Sequence, residues 1–359
     1  MRINKFYSIP KEMKLYFFCL EIGDKSLVLN VTTDWVTEFC NQGFVVTVVC
    51  THKVGEFNAN TSNVIVTDGG TITRQLLAVL RIFRVTIQII RNRKNAVVFY
   101  HMHHKALALQ GFILKLFGIH QTLWYSHAKA GEFLKIANHF ADSIFTTSDV
   151  AYPLNHKKIF VMGQAVSARR FVRPIHPFNS KSRLLLDIVS VGRISRAKHL
   201  EKLIQSVNSK NKHLIKRICF IGPNFDEVYK EELKDKAQEI GINVEWRPAS
   251  PYEEMPTVLQ EFVFYFTGTE KAIDKSAAEA ALGGLIVLTD NLNLLSKVGL
   301  DLFYQQEFGH VPHISDQFSI LSQLENDALY KLRLSVQKKA ISNFSIERVV
   351  EKYTLMLRE

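Results

Sequence analysis

Short apolar runs alternate with amphipathic stretches of helical period along nearly all of this 359-residue chain, and that alternation limits the possible folds more than any single motif. In the first half, residues 15–20, 44–50, 64–66, 96–100, 122–126 and 143–147 read as strands; in the second, residues 184–191, 217–221, 244–246, 262–266 and 285–288 do. The intervening segments carry helical spacing, as in Leu27, Val31, Trp35 and Phe39 before Gly43. Strands separated by helices stack as βαβ units on a parallel sheet. The length exceeds what one hydrophobic core serves, so two such domains are expected. Arg169-Arg170, Pro174, Pro177 and several serines break the periodicity across residues 166–183, which marks the boundary.

Two segments of the second half carry chemistry. Val191-Gly192-Arg193-Ile194-Ser195-Arg196-Ala197-Lys198 closes one apolar run and opens a helix bearing Leu200, Leu203, Ile204 and Val207. A strand, tight turn and helix start of this kind present unpaired N–H groups and a positive helix end, here with a guanidinium and an ammonium beside them. The arrangement suits a diphosphate; an ordinary solvated βα loop is the other reading. Further on, Phe266-Thr267-Gly268-Thr269-Glu270 ends a strand, and Asp274-Lys275-Ser276-Ala277-Ala278-Glu279-Ala280-Ala281-Leu282-Gly283-Gly284 leads through a short helix to the next. Glu279 stands among alanines, where a ligand can approach and a carboxylate can accept from paired hydroxyls. An exposed helix carboxylate is the alternative.

In this order, the two segments resemble the donor site of retaining GT-B glycosyltransferases of family 4. The resemblance implies that Gly192, Arg193 and Lys198 grip the diphosphate of a nucleotide sugar and that Glu279 holds its ribose. Gly268, Thr269, Asp274 and Lys275 would complete the donor pocket. The family's first glutamate is out of register: the matching position is Lys271, and Glu270 lies one residue early. Thr267-Gly268-Thr269 with Asp274-Lys275 is similar instead to a sub-branch reading threonine-glycine-serine, then aspartate-lysine. Trp124-Tyr125-Ser126-His127, the strand ending at Ser148 and Met162-Gly163-Gln164-Ala165 resemble the same sub-branch, with Ala165 in place of a glycine. The resemblance implies an α/β GT-B architecture: two Rossmann-like domains facing across a cleft, with a C-terminal helix crossing back to the first. Expected are an acceptor domain over 1–166, a donor domain over 167–340 and a closing helix within 341–359, capped by Ser345 with Val349, Val350, Tyr353 and Leu357 on its apolar face.

Charge and the remaining motifs refine this picture. The formal net charge is +11, and residues 1–165 hold 18 Lys and Arg against 10 Asp and Glu, so the first half carries +8. An anionic partner is therefore expected there, with anionic lipid and a lipid-linked phosphate acceptor ahead of nucleic acid, because no nucleic-acid module accompanies the charge. Residues 74–94 join a broad apolar face to Arg81, Arg84 and Arg91 without one acid, as in a helix lying on lipid or a core helix with a basic edge. The run at 15–20 is too short for a signal peptide or a span and is followed by Glu21, so a cytoplasmic protein, peripheral at most to the inner membrane face, is expected. Cys19, Cys40, Cys50 and Cys219 have no paired spacing and read as buried thiols.

His101-x-His103-His104 lacks the carboxylate or cysteine partners of a metal site, so neither metal nor cofactor is expected; these histidines are placed at the ligand-facing end of their strand, His103 toward the acceptor. Gly23-Asp24-Lys25 follows the first strand and can meet an acceptor or form a plain turn. His127 follows another strand end and is implied to contact the donor sugar. The chain has no G-x-G-x-x-G, which argues against a nicotinamide or flavin enzyme. Arg193, Lys198 and His127 are thus the expected catalytic group of a metal-independent transferase. It would move a sugar to a glycan or polyprenol-linked acceptor in surface polysaccharide (lipopolysaccharide or capsule) synthesis. The alternative is a non-catalytic nucleotide-sugar-binding or scaffold subunit.

Overall fold

The computed structural model describes residues 13–23, 31–57, 63–67, 72–127, 129–178, 185–270 and 272–358. Leu27, Asp24, Lys25, Lys271 and the side chain of Arg74 lie outside the described part. The chain divides into two compact units, residues 1–165 with 346–359, and residues 166–345.

In the first unit the chain runs β1 (Lys14–Ile22), α1 (Val31–Asn41), β2 (Val45–Lys53), β3 (Asn63–Val66), α2 (Ile72–Arg91), β4 (Ala96–His101), α3 (His104–Leu116), β5 (His120–Trp124), α4 (Glu132–Phe140), β6 (Ser143–Thr146) and β7 (Ile159–Val161). The strands form one seven-stranded sheet in the order β3-β2-β1-β4-β5-β6-β7, every pair parallel. The alternation of side chains along β1 divides the core between the two faces. Leu15, Phe17 and Cys19 point to one face, with Trp35 and Phe39 of α1; Tyr16 and Phe18 point to the other, with Val85 and Ile89 of α2, Leu107 and Leu114 of α3 and Leu134 of α4. β7 was not legible as a strand, being three residues long with no fully buried side chain.

The second unit runs α5 (Ala168–Phe171), β8 (Leu186–Val191), α6 (Glu201–Gln205), β9 (Ile215–Ile221), α7 (Glu227–Ile240), β10 (Val244–Arg247), α8 (Met255–Gln260), β11 (Phe264–Phe266), α9 (Lys275–Leu282), β12 (Ile286–Leu288), α10 (Leu292–Val298), α11 (Leu300–Phe308), α12 (Ile314–Gln323) and α13 (Asn326–Phe344). Its five parallel strands lie in the order β10-β9-β8-β11-β12. In both sheets the order reverses once, between β1 and β4 and between β8 and β11, and in open α/β sheets ligands collect outside the carboxyl ends of the strands at that point.

After Ser345, which is extended (φ −70°, ψ 136°), the chain returns to the first unit as α14 (Ile346–Met356). Tyr353 is fully buried there, 5.6 Å from Phe39, 5.3 Å from Phe99 and 5.9 Å from Phe145 between ring centroids. The last helix thereby completes one face of the first core. Tyr353→Ala should lower unfolding stability by about 3–5 kcal/mol, the range for truncating a large core aromatic. Urea titration followed by circular dichroism measures this, and a loss under about 1 kcal/mol would show that α14 is dispensable to that core.

Candidate functional site

The loops at the switch point of the second sheet are built on close backbone approach. Gly192 leaves β8 at φ +140°. A Cβ there would lie 2.8 Å from Cε and 2.9 Å from Nζ of Lys198, so the missing side chain is the space that the Lys198 ammonium occupies. Gly222, at φ +153° after β9, is pressed against Gly192: a Cβ would come 1.9 Å from the Gly192 carbonyl oxygen. Gly192 N–H donates to the Ile221 carbonyl (2.9 Å) and Ile194 N–H to that of Pro223 (3.0 Å), tying the two loops together. From the β11 side, a Cβ on Gly268 would lie 2.4 Å from the His199 carbonyl oxygen. Side-chain-free backbone at three strand ends thus gathers the β8, β9 and β11 loops around Lys198.

The helix expected directly after the Gly192 turn is interrupted. A 3₁₀ turn covers Arg196–Lys198, His199 takes the left-handed conformation (φ 49°, ψ 44°), and α6 begins only at Glu201 and runs five residues. Its dipole is correspondingly small, and cation density at the turn falls to side chains. Arg193 is exposed, its guanidinium 5.7 Å from the Phe225 ring centroid. Lys198 is mostly buried and donates to Asp274, the residue that opens α9. Lys202, one turn beyond Lys198, donates to Glu270 at 2.5 Å. The sequence reading did not single out Lys202, a candidate site residue; its spacing of four from Lys198 was the available signal.

Across the switch point, α9 carries the acidic side of the site. Glu279 is 4% exposed, and burial raises its carboxyl pKa above the ordinary range, opposed by the Lys275 ammonium. That ammonium lies 3.3 Å from Oε1 without hydrogen-bond alignment, so Oε1 is a buried oxygen with no hydrogen-bond donor. Lys275 also sits 4.5 Å from the Tyr252 ring centroid. Thr269 N–H and Oγ1 both reach the Thr267 hydroxyl (3.4 and 2.9 Å), and Asn291 donates to the Thr269 carbonyl (3.0 Å), which fixes the β11 loop. Arg193, Lys198, Gly268, Thr269, Asp274, Lys275 and Glu279 therefore all stand at the carboxyl edge of this sheet, on the loops and helix start that follow β8 and β11.

At the corresponding edge of the first sheet, Gly23 (φ +131°) leaves β1 against β2; a Cβ would lie 2.0 Å from the Val54 carbonyl oxygen. His103 caps α3: Nδ1 accepts from Ala106 N–H (3.3 Å) and Nε2 faces the Thr51 hydroxyl (3.3 Å). Burial lowers its pKa to about 4, so it is neutral at pH 7 and both ring nitrogens serve the fold. His101 was expected at the ligand-facing mouth; its ring instead packs inside the core, 5.5 Å from Trp35 and 5.8 Å from Phe17. His127 is exposed, and its Nδ1 accepts from Lys129 N–H (3.1 Å). Among the described residues no group of three or more His, Cys, Asp or Glu is arranged to hold a metal ion.

Two units, each a parallel sheet with helices in Rossmann-like order, make up the GT-B fold. The solved structures that share it include Anabaena Alr3699/HepE in complex with UDP (TM-score 0.66, 13% identity, 96% of this chain and 100% of that one) and with UDP-glucose (0.64, 12%, 96% and 99%). A glycosyltransferase from Rickettsia africae ESF-5 (0.67, 12%, 96% and 97%) and the lipopolysaccharide outer core galactosyltransferase WaaB (0.62, 12%, 97% and 100%) share it too. No family model matches the chain, and no curated protein matches it in sequence.

The state of Glu279 gives a stability prediction with a defined sign. Its folded pKa is raised above the unfolded value, so the folded state binds more protons in between and stability falls as pH rises through that interval. Glu279→Gln should therefore melt about 2–5 °C higher than the natural protein at pH 7, with the gain shrinking toward about pH 3, below the ordinary carboxyl range, where the glutamate is neutral folded or unfolded. Thermal melts at the two pH values decide it; a lower melting temperature at pH 7 would mean that the carboxylate is stabilised in the fold.

Proposed function

We propose that the protein is a retaining, metal-independent glycosyltransferase that takes its sugar from a nucleotide-diphosphate donor. The observation that carries this reading is the pairing, at one switch point, of a lysine ammonium seated in the space of a missing glycine side chain with a buried carboxylate oxygen that lacks a donor. Lys198 and Arg193 offset the charge that develops on the diphosphate as the glycosidic bond breaks. Glu279 accepts from the ribose hydroxyls, which supply the donors its Oε1 lacks. Asp274 holds the ammonium until the diphosphate replaces it. His127 contacts the sugar, while Gly23, Asp24 and Lys25 belong to the acceptor side; His103, whose ring nitrogens are both engaged within the fold, is not assigned a contact there. The binding of UDP and UDP-glucose by HepE supports a nucleoside-diphosphate donor, and WaaB, a lipopolysaccharide outer core galactosyltransferase, supports a glycan or polyprenol-linked acceptor in surface polysaccharide synthesis at the inner face of the membrane. The second reading, a non-catalytic nucleotide-sugar-binding subunit, rests on Glu270, which is out of register for the family's first glutamate and paired with Lys202.

Incubating the purified protein with a panel of nucleotide sugars and measuring transfer or donor hydrolysis tests the proposal. Lys198→Ala and Arg193→Ala should each lower the rate on the order of 100-fold with little change in melting temperature. Glu279→Ala should weaken nucleotide binding more than Glu270→Ala, and a chelator should leave the rate intact. Nucleotide binding without transfer or hydrolysis would instead establish the binding-subunit reading; unaffected rates in both cation variants would remove the clamp.

A further inference from the structure

The helices α2, α3 and α4 cover one face of the first sheet, and their outer side is apolar as well as their inner side. In α2, Ile82, Val85 and Ile89 form the buried stripe that packs on the sheet, which satisfies the core. A second stripe at the same spacing, Leu80, Phe83 and Ile87, faces outward and is exposed. α3 repeats the arrangement: Leu107 and Leu114 point in, while Phe112 and Leu116 are 57% and 69% exposed. α4 adds exposed Phe133 and Ile136. Gly111 lets α3 and α4 approach so closely that a Cβ would meet that of Phe140 at 2.7 Å, and Phe112 lies 5.9 Å from the Phe140 ring. Exposed apolar side chains on three helices that pack side by side mark an interaction site.

Its charge identifies the partner. Residues 72–140 hold ten Lys and Arg and one acid, Glu132, a net of +9 that exceeds the +8 of the whole first half. Arg84 and Arg91 are exposed on α2, and Lys105 of α3 lies 5.9 Å from the Phe133 ring, its ammonium beside the apolar face. Where α3 and α4 end, a pocket of about 750 Å³ is lined by Lys115, Lys157 and Lys158 with Asp142 as its single acid. Arg81 is different: its guanidinium donates to the Val66 carbonyl (3.0 Å) and so braces β3. A second copy of the chain would oppose like charge to like charge, whereas an anionic bilayer offers phosphates to the cations and acyl chains to the rings. Among the described residues no helix is long and apolar enough to cross a membrane.

We infer that the outer face of α2, α3 and α4 docks the protein on an anionic lipid bilayer. For its purpose the inference rests on the glycosyl-transfer reading, since a polyprenol-linked acceptor is presented at a bilayer surface; for its test it does not. The full-length protein should sediment with phosphatidylcholine vesicles containing about a third phosphatidylglycerol at low salt, and not with phosphatidylcholine alone. Arg84→Gln with Arg91→Gln should lower the partition coefficient on the order of 10-fold, and Phe83→Ser with Phe112→Ser on the order of 30-fold or more. All four positions are exposed, so melting temperature and nucleotide binding should be unchanged, which separates loss of docking from loss of fold or of donor site. Failure to sediment, sedimentation indifferent to lipid charge, or unaltered partitioning in both double variants would overturn the inference. So would a dimer in light scattering that the Phe83→Ser/Phe112→Ser protein loses, because the face would then bind a second copy. A protein that docks but does not bind nucleotide would leave the inference standing and remove the transferase reading.

Discussion

The candidate site depends on one contact: the Lys198 ammonium lies where a side chain on Gly192 would be. A parallel sheet ends its strands together, and at the reversal of strand order the loops diverge to opposite faces and open a crevice. To draw a cation into that crevice the backbone beneath it must have no side chain and must turn sharply, which φ +140° at Gly192 and φ +153° at Gly222 accomplish. Gly268 then lets the β11 loop close on the backbone of Lys198 and His199. The carboxylates of Asp274 and Glu270 pair with Lys198 and Lys202, which offsets the repulsion between the two neighbouring cations.

The polar burial of Glu279 has the opposite energetic sign. A carboxyl group 4% exposed, with one oxygen lacking a donor, destabilises the fold on its own. Such groups concentrate at functional sites; Ala277, Ala278, Ala280 and Ala281 on either side of Glu279 are fully buried in the core of the second unit, which fixes the helix that carries it.

Much of this was legible in the sequence, for a physical reason. Buried parallel strands read as largely apolar runs, so eleven of the twelve strands among the described residues, and their order along the chain, emerge from the alternation alone. β7 escaped because it is short and no side chain in it is fully buried. Gly192, Lys198 and Glu279 stood out because close approach, charge and small neighbours are local properties. The ion pair between Lys198 and Asp274 spans 76 residues and was invisible, as was that of Lys202 with Glu270. The break at His199 was missed because a left-handed non-glycine residue leaves no mark on helical periodicity. The basic segment at 74–94 was open to a lipid reading and a core reading; its circumference is apolar on two sides, and α2 serves the core with one while exposing the other.

The central claim, that the Gly192 turn and its lysine form a diphosphate seat, is tested most directly by calorimetric titration of the full-length protein with uridine and with UDP. The account predicts that the diphosphate carries most of the affinity: UDP should bind about 10- to 100-fold more tightly than uridine. That difference should collapse in Lys198→Met while the affinity for uridine is unchanged. Equal affinities for the two ligands, or a UDP preference that survives Lys198→Met, would contradict it.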